Sequence, residues 1–576
     1  MMVGRATRWL AVLSVLLVPL TACASIPEES DPVAVREADE RNTTTEVTPP
    51  PDNLDPLGLV RRFVDSASPA SNHEAARMHL DDLQAKQWSP GPDLLIVDNV
   101  DTIPAPPPPE PLPEGVQLVT VQADRVGRLL KDSSFVPDVG EYETTVRVEL
   151  QPDGKWRIAS PPAEMVVSRD AFSSVYRSVP IYFLDHDSTG VVPDLRYVAS
   201  QPASTLPRRV IDLLTAGPSE RMQSALRTAI PPGVHPRTNT SEATGDGALE
   251  VNLSKLGEVS DEKRWLIAAQ VVFTLQKVSN ARVRLQEEGL PLLATEQDLW
   301  PTDLTRYEID NMPRQDLGGL AVIDERIKRL DSRADPIPGP AGSGEYQVLR
   351  AGQSPDGRKI AAVTRRSPDE VVLRVGPYGE SLHELGALGS FMSKPTWRGD
   401  DEVWTVIGGR DVIRARSGET GWTVQRVDSA QFTGGRQITD LRLSRDGTRA
   451  AAVIDGKLVV SAVADRDGSV VLERPTTLPS PQGAQILGLE WRDKESLAVI
   501  TDSNGFPVYD VSVDGFRWRA YTSANLGQPM KMITVGPGPT VIVADRSSIW
   551  SSPEPGDVWS LLEPRIGSSS LPFFPG

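Results

Sequence analysis

One cysteine in 576 residues closes off several kinds of chemistry at once. Cys23 has no partner for an intramolecular disulfide and no companions for a sulfur-rich metal site. Histidine is nearly as scarce. His73, His79, His186, His235 and His383 are scattered along the chain, and none belongs to an H-E-x-x-H or a Cys/His cluster. His73 and His79 fall on one expected helix, but their spacing does not bring two ligands onto the same face. A G-x-S-x-G elbow and a G-x-x-x-x-G-K-[ST] phosphate loop are both missing from the sequence. Polybasic runs are also missing, and the formal charge is −18, which argues against nucleic acid as a partner. Beyond the N-terminus no apolar run has the length of a spanning helix. The expectation is a protein that is not an enzyme, with no catalytic, cofactor-binding or metal-binding residue to name. Asp465-Arg466-Asp467-Gly468 has a faint calcium-loop look, but a hairpin turn accounts for the same four residues.

The single cysteine sits where processing would use it. Arg5 and Arg8 precede the apolar run Trp9–Leu20, in which Ser14 is the one polar member. That is the length of a signal peptide, short of the roughly 20 apolar residues that cross a bilayer. Leu20-Thr21-Ala22-Cys23 fits the bacterial lipobox. In such signals the thiol receives a diacylglycerol, and cleavage before the cysteine makes it the new N-terminus. An ordinary secretory signal with a chance cysteine is the alternative. The reading is a lipoprotein signal over 1–22, and Cys23 as an N-palmitoyl, S-diacylglycerol cysteine. Two acyl chains give stable anchoring where one does not. The protein is expected at the cell membrane, lipid-anchored on the extracytoplasmic face. Removing residues 1–22, which hold Arg5 and Arg8 and no acidic residue, takes the charge from −18 to −20.

Residues 23–55 are polar, acidic and proline-bearing, and read as a disordered tether behind the lipidated cysteine. Residues 56–165 read as an α+β domain of NTF2/cystatin-like shape. Leu57, Val60, Val64 and Ala67 recur at helical spacing, and Ser71-Asn72-His73-Glu74 has the capping-box pattern of a second helix. Strands follow in "DLLIVDNV", "VQLVTVQAD" and "TTVRVELQPDGKWRIAS", with a turn at Pro152-Asp153-Gly154, and together suggest a curved antiparallel sheet. The proline run Pro104–Pro113 reads as a rigid loop between strands, or as a polyproline ligand for a partner.

Residues 170–312 form an α/β unit. "VPIYFLD" and "ALEVNLS" read as strands and "ARVRLQEEGLPL" as the closing strand. "STLPRRVIDLLTAGP" is a helix stopped by Gly217-Pro218, and "SERMQSALRTAI" is expected to be another, ended by Pro231-Pro232-Gly233. The strongest helix is "SDEKRWLIAAQVVFTLQKVSN", with Ser260 as N-cap, Asp261 and Glu262 in its first turn, and Trp265, Ala269, Val272 and Leu275 toward the sheet. The order of motifs resembles the GerMN domain. The likeness lies in Leu213-Leu214 before Gly217-Pro218, Ile230-Pro231, Val251-Asn252-Leu253-Ser254, Gln270-Val271-Val272 and Thr274-Leu275. It implies an interaction or envelope-associated module, and supplies no catalytic residue.

Residues 318–576 carry a repeat. The runs "IAAV" from Ile360, "VWTV" from Val403, "AAAV" from Ala450, "LAVI" from Leu497 and "TVIV" from Thr540 recur about every 43 to 47 residues. Ser354-Pro355-Asp356-Gly357 and Ser444-Arg445-Asp446-Gly447 precede the first and third, and Trp397 and Trp491 precede the second and fourth. Strands and turns at this period read as an all-β propeller of five or six blades, "GLAVIDERIKRLDS" closing the ring or adding to a sixth. A pair of β-sandwiches is the alternative.

A lipobox, a helix-first α+β domain, a GerMN-like domain and a propeller, in that order, resemble the actinobacterial LpqB lipoprotein family over nearly the whole mature chain. The resemblance implies a binding protein that acts on the extracellular domain of a membrane sensor kinase (MtrB, paired with the regulator MtrA) and influences cell-wall homeostasis and division. Its implied contacts are that sensor, the membrane through the lipid anchor, and the cell wall. An envelope glycan binder or hydrolase that uses the propeller channel is the alternative.

Overall fold

The computed structural model describes residues 49–66, 73–237, 241–242, 246–309, 312–331, 333–563 and 570–576, all of them within one compact unit. Cys23, the expected signal over 1–22 and most of the expected tether lie outside the described residues, as do Ala67, Ser71 and Asn72.

The first region begins with α1 (Pro56–Asp65). Asp55 caps it by accepting from the Gly58 amide at 2.7 Å, and Pro56 is pre-set for the first turn. Leu59, Val60, Phe63 and Val64 form its buried stripe. The next helix, α2, starts at Glu74 (Glu74–Arg77). Its cap residue is His73, in left-handed conformation with no side-chain cap bond, which corrects the cap expected at Ser71. A short α3 (Asp82–Gln87) follows. The sheet comprises β1 (Leu94–Pro104), β2 (Val116–Leu129), β3 (Phe135–Leu150), β4 (Trp156–Ser160) and β5 (Met165–Ser168), in the order β4-β3-β2-β1-β5. It is mixed rather than purely antiparallel, because β5 returns to pair parallel with β1. Its four buried residues, Met165 to Ser168, fill the edge beside the helices, a position that a continuous apolar run fits better than an alternating one. Register shifts within β1–β2 and β2–β3 bend the long strands. The proline run links β1 to β2 as an exposed loop.

A short α4 (Arg169–Val175) leads into the second region. There β6 (Tyr176–Leu184) and β7 (Val191–Ala199) form a hairpin, followed by α5 (Leu206–Ala216), which ends at Gly217 with φ 97°. Two strands, β8 (Ser241–Glu242) and β9 (Leu249–Leu253), precede α6 (Asp261–Leu275), and β10 (Val283–Glu287) then lies parallel to β9. This is a βαβ crossover. Ser260 caps α6 as expected, accepting from the Lys263 amide. The closing segment breaks at Glu288-Gly289, both with positive φ, so Leu290-Pro291 folds back on β10.

Residues 219–230 are a series of turns, not the expected helix. The Ser219 amide and hydroxyl are held by Asp194, and Arg227 exchanges backbone bonds with Leu184. These outside partners outcompete a helical pattern. Gln270 and Thr274 are fully buried polar residues on α6. Gln270 accepts from the Ala229 amide at 2.8 Å and donates to the Tyr182 carbonyl, while Thr274 accepts from the Tyr182 amide. They join the helix to β6 and to the turn that ends at Ile230-Pro231.

The third region is a ring of six sheets. Five have four strands each, covering 348–389, 396–426, 438–478, 486–520 and 532–563, and are called blades 1 to 5 here. Each recurrent apolar run is the second strand of its blade. The sixth sheet takes Leu320–Ile323 and Arg326–Arg329 from the start of the region and Leu571–Phe573 from its end. The last strand packs against the innermost strands of blades 1 and 5, and the ring closes. Trp397 is fully buried on the innermost strand of blade 2. The Asp465–Gly468 stretch makes the hairpin turn between the third and fourth strands of blade 3, with positive φ at Asp467 and Gly468.

Three turns share one construction. In Ser354–Lys359, Ser444–Arg449 and Ser512–Arg517 the serine hydroxyl donates to the aspartate two residues on, at 2.6, 2.7 and 2.6 Å. The same hydroxyl accepts from the amide five residues on, and that residue is basic in all three. The first turn packs on blade 2, where the Asp356 amide donates to Asp400. The other two reach outside the propeller.

Candidate functional site

The three regions meet beside blades 3 and 4. Arg449, at the end of the second turn, hydrogen-bonds the Pro193 carbonyl of β7. On the same strand Arg196, 1% exposed, pairs with Asp194 at 2.7 Å and donates to the Asp132 carbonyl of the first region at 2.6 Å. The Asp132 carboxylate accepts from the Glu220 amide. Burial alone would raise the Asp132 carboxyl, but hydrogen bonds from Ser134 and Glu220, with Arg196 nearby, hold it below its ordinary range. A buried pair is stable only when its remaining hydrogen-bonding capacity is used, and here Ser219 and Gly217 use it.

The third turn enters this junction as a wedge. Tyr197 donates to Asp514 at 2.8 Å, and Phe516 lies edge-on among Phe135, Phe172 and Tyr197 with centroids 5.0, 5.4 and 5.3 Å away. The Arg169 guanidinium lies 5.5 Å from the Phe516 ring centroid.

Around the wedge opens a cleft of about 840 Å³ lined by all three regions. The first region contributes Asp98, Asp124, Arg125 and Arg169; the second contributes Tyr176 and Tyr197; the propeller contributes Glu495, Phe516, Arg517 and Trp518. Arg169 is paired with Asp98 at 3.3 Å, and Asp124 accepts from Asn99. The Glu495 carboxyl is pushed up from its ordinary range by burial and by Asp493. The Trp518 indole N–H and the Arg125 Nε are buried without a hydrogen-bond partner.

The ring axis is charged and internally paired. Lys394 reaches Glu490 at 3.1 Å, Arg442 reaches the same carboxylate at 3.3 Å, and Arg442 also holds Asp440 at 2.8 Å. Lys394 and Arg442 hold the Glu490 carboxyl low against the effect of burial. A smaller polar groove of about 580 Å³ runs between His186-Asp187 and blades 2 and 3.

The structure places the five histidines apart. His79 is buried against Phe63, with its Nδ1 3.0 Å from the Ala75 carbonyl oxygen; His73 caps α2; His186 lines the polar groove; His235 and His383 are exposed. Among the described residues no group of three His, Cys, Asp or Glu is placed to hold a metal ion, and no helix is long and apolar enough to cross a membrane. Sequence reasoning named none of the cleft residues. The available signal was Ser512-Val513-Asp514-Gly515, the same turn pattern that marked two blades, followed at once by Phe516, Arg517 and Trp518.

Fold and site together define a multidomain β-propeller protein with two smaller α/β-type regions docked against blades 3 and 4. Residues 49–173 match the family described as "Lipoprotein LpqB, N-terminal domain", residues 180–293 "Sporulation and spore germination" (Germane), and residues 326–575 "Lipoprotein LpqB beta-propeller domain". Over its length the chain is 30% identical to Lipoprotein LpqB of Rhodococcus jostii, covering 98% of this chain and 97% of that protein. It is 31% identical to that of Mycolicibacterium smegmatis, with 99% and 100% covered, and 30% identical to that of Mycobacterium tuberculosis, with 98% and 99% covered. The chain belongs to the LpqB lipoprotein family. Among solved structures it resembles the Cps50 (Swd1) β-propeller domain of Myceliophteria thermophila, at 14% identity and TM-score 0.25, over 36% of this chain and 84% of that one.

Proposed function

We propose that the protein is a non-catalytic, lipid-anchored binding protein on the extracytoplasmic face of the cell membrane, acting on the extracellular domain of an MtrB-like sensor kinase. The observation that carries this reading is the match to lipoproteins of the LpqB family along almost the entire chain. In this reading residues 1–22 are removed and Cys23 carries the acyl groups. Residues 23–55 then act as a tether for modules at 56–165, 170–312 and 318–576. The anchor confines the protein to a layer beside the membrane, where a second membrane protein meets it at high effective concentration, so modest affinity is enough. Binding changes the kinase only if it favours one sensor conformation over the other. The channel alternative draws no support from the ring axis, where Lys394, Asp440, Arg442 and Glu490 are engaged with one another.

The test is photo-crosslinking in living cells, with the cross-linker placed on the exposed faces of the second region and the propeller, together with a Cys23→Ala variant. The expected result is a crosslink to the sensor, palmitate labelling of the native protein alone, and a shifted kinase output on deletion. Labelling equal in both forms, or a kinase output unmoved by deletion, overturns the proposal.

A further inference from the structure

Each of the six sheets in the ring ends at the rim in an outermost strand, and five of those edges are blunted. The strand of blade 1 (His383–Gly389) is broken by a register shift, with Gly386 at φ 68°. That of blade 3 (Ser469–Leu478) is shifted too, and Asp428 bridges to its Val471. Blade 4 ends in three residues, Trp518–Ala520, and blade 5 in four, Ser560–Glu563, which also shift register. In the sixth sheet Arg326–Arg329 is covered, its Arg329 amide donating to Asp335 and its Ile327 carbonyl accepting from Ile337. Bulges, short strands and covering segments are how natural sheets keep their edges from pairing. Blade 2 has none of them. Its outermost strand, Gly421–Arg426, pairs with Asp411–Gly418 in six consecutive residue pairs without a shift. Among the described residues no strand or bridge lies on its outer side, and Gly421 and Thr423 to Arg426 are all exposed.

The direction of the backbone groups fixes which pairing is possible. The Val427 amide donates inward to the Val412 carbonyl at 2.9 Å, and inward and outward residues alternate along an antiparallel strand. Thr423 and Gln425 therefore use their N–H and C=O inside the blade, while Trp422, Val424 and Arg426 turn theirs to the rim. A second copy of the same strand, added antiparallel with Val424 at the centre, engages all three. Two-fold symmetry then sets Val424 against Val424, Thr423 against Gln425 and Trp422 against Arg426. Opposed residues share a face of the sheet, so each pair touches. Two apolar side chains meet at the centre, a hydroxyl meets an amide, and a guanidinium meets an indole in a cation–π arrangement. Trp422 is already held edge-on by Trp397, with centroids 6.3 Å apart. A charged central residue would be set against itself and would keep the edge single; the centre here is neutral. We propose that Gly421–Arg426 is a self-association edge, pairing antiparallel with the same strand of a second copy about a two-fold axis at Val424. Six residues bury much less than the roughly 1,600 Å² of a standard stable interface, so the dimer is weak in dilute solution. Confinement beside a membrane would raise its population, but the pairing does not depend on the anchor or on the sensor.

The test is disulfide trapping of the purified full-length protein at about 100 μM, which captures even a weak dimer, with products resolved on non-reducing gels. Val424→Cys should form a covalent dimer, because the two-fold axis sets its α-carbons about 5.5 Å apart, within disulfide reach. Thr423→Cys and Gln425→Cys should each stay monomeric alone, since each lies about 7–8 Å from its own copy. Mixed, they should join, opposed at about 4.5 Å. Leu388→Cys and Leu561→Cys, exposed on the outer strands of blades 1 and 5, should give at least about tenfold less dimer than Val424→Cys. The wild type, whose one cysteine is Cys23, sets the background. Val424→Pro removes a rim-facing amide and no bond inside the blade, so placed in both members of the mixed pair it should abolish the dimer. Circular dichroism melts establish that each variant is folded. A Val424→Cys dimer no stronger than that of Leu388→Cys, or equal yields from Thr423→Cys alone and in the mixture, overturns the proposal. So does a mixed dimer that survives Val424→Pro.

Discussion

Tyr197 donates its phenolic hydrogen to Asp514 across 2.8 Å, joining a strand of the second region to a turn of propeller blade 4. Burial and the neighbouring carboxylate raise the Tyr197 hydroxyl well above its ordinary pKa, so it remains a donor throughout the physiological range. Asp514 keeps its other bonds, from Ser512 and the Phe516 amide, when the phenol is removed. Tyr197→Phe therefore isolates the link between regions. The expected loss is about 1–2 kcal/mol, that of a charge-assisted bond discounted for partial exposure. A lower midpoint for separation of the propeller, followed by urea-dependent proteolysis, checks it. An unchanged midpoint would mean that aromatic packing alone holds the junction.

Packing has its own test in Phe516. Its ring meets Phe135, Phe172 and Tyr197, so Phe516→Ala should cost about 2–4 kcal/mol, toward the low end because the side chain is half-buried. Combined with Tyr197→Phe, the losses should not add, since the two residues touch; the coupling should be about 0.5–3 kcal/mol. A double-mutant cycle in denaturant measures it.

The contrast between the propeller and the junction explains what a sequence can reveal. The second strand of each blade is buried on both faces, so each shows as a continuous apolar run at a steady interval, and Trp397 beside one such run marks a core position. Ser260 announces α6 because a cap is a local device. The junction has no such period. Phe516 looks like any residue after a turn until Phe135, more than 300 positions away, is folded against it. Asp194 and Arg196 look like polar interruptions of a strand, and only their shared burial with Ser219 makes them a network. The same network removed the helix expected over 219–230, since Asp194 holds Ser219 in a different role. Glu495, Arg517 and Trp518 gather in one cleft for the same non-local reason.

His79 gives the first region a one-sided pH dependence. Its ring is buried against Phe63, and burial lowers its pKa from the ordinary value. The unfolded chain thus takes up a proton near pH 6.5, while the folded protein resists it. The contribution is complete above that value and is lost as pH falls from about 6.5 toward the lower folded pKa. His73 shifts the same way and should act with it. His79→Phe should flatten the acid limb of the melting profile below about pH 6.5 while leaving neutral stability within about 1.5 kcal/mol. An identical slope in wild type and variant would remove His79 from the account.

Ring closure rests on a few residues at the far end of the sequence. Leu571–Phe573 supplies the innermost strand of a sheet whose other strands lie some 240 residues earlier, with Leu320 opposite Phe573. Phe573, 1% exposed, packs with Val322, Ile327, Val348 and Ala362, so it joins the closing sheet to blade 1. Phe573→Ala should cost about 3–5 kcal/mol, and Phe573→Leu, which leaves a smaller void, clearly less. Deleting 571–576 should do more than either, because it leaves the Leu320–Ile323 edge unpaired and uncovers surface of blades 1 and 5 that the strand packs on, and unpaired edges recruit other chains. The truncated protein should self-associate and lose amide-exchange protection in the propeller first, blades 1 and 5 ahead of blade 3. Protection lost evenly around the ring would show that closure stabilises the propeller as a single cooperative unit, with no weak point at the seam.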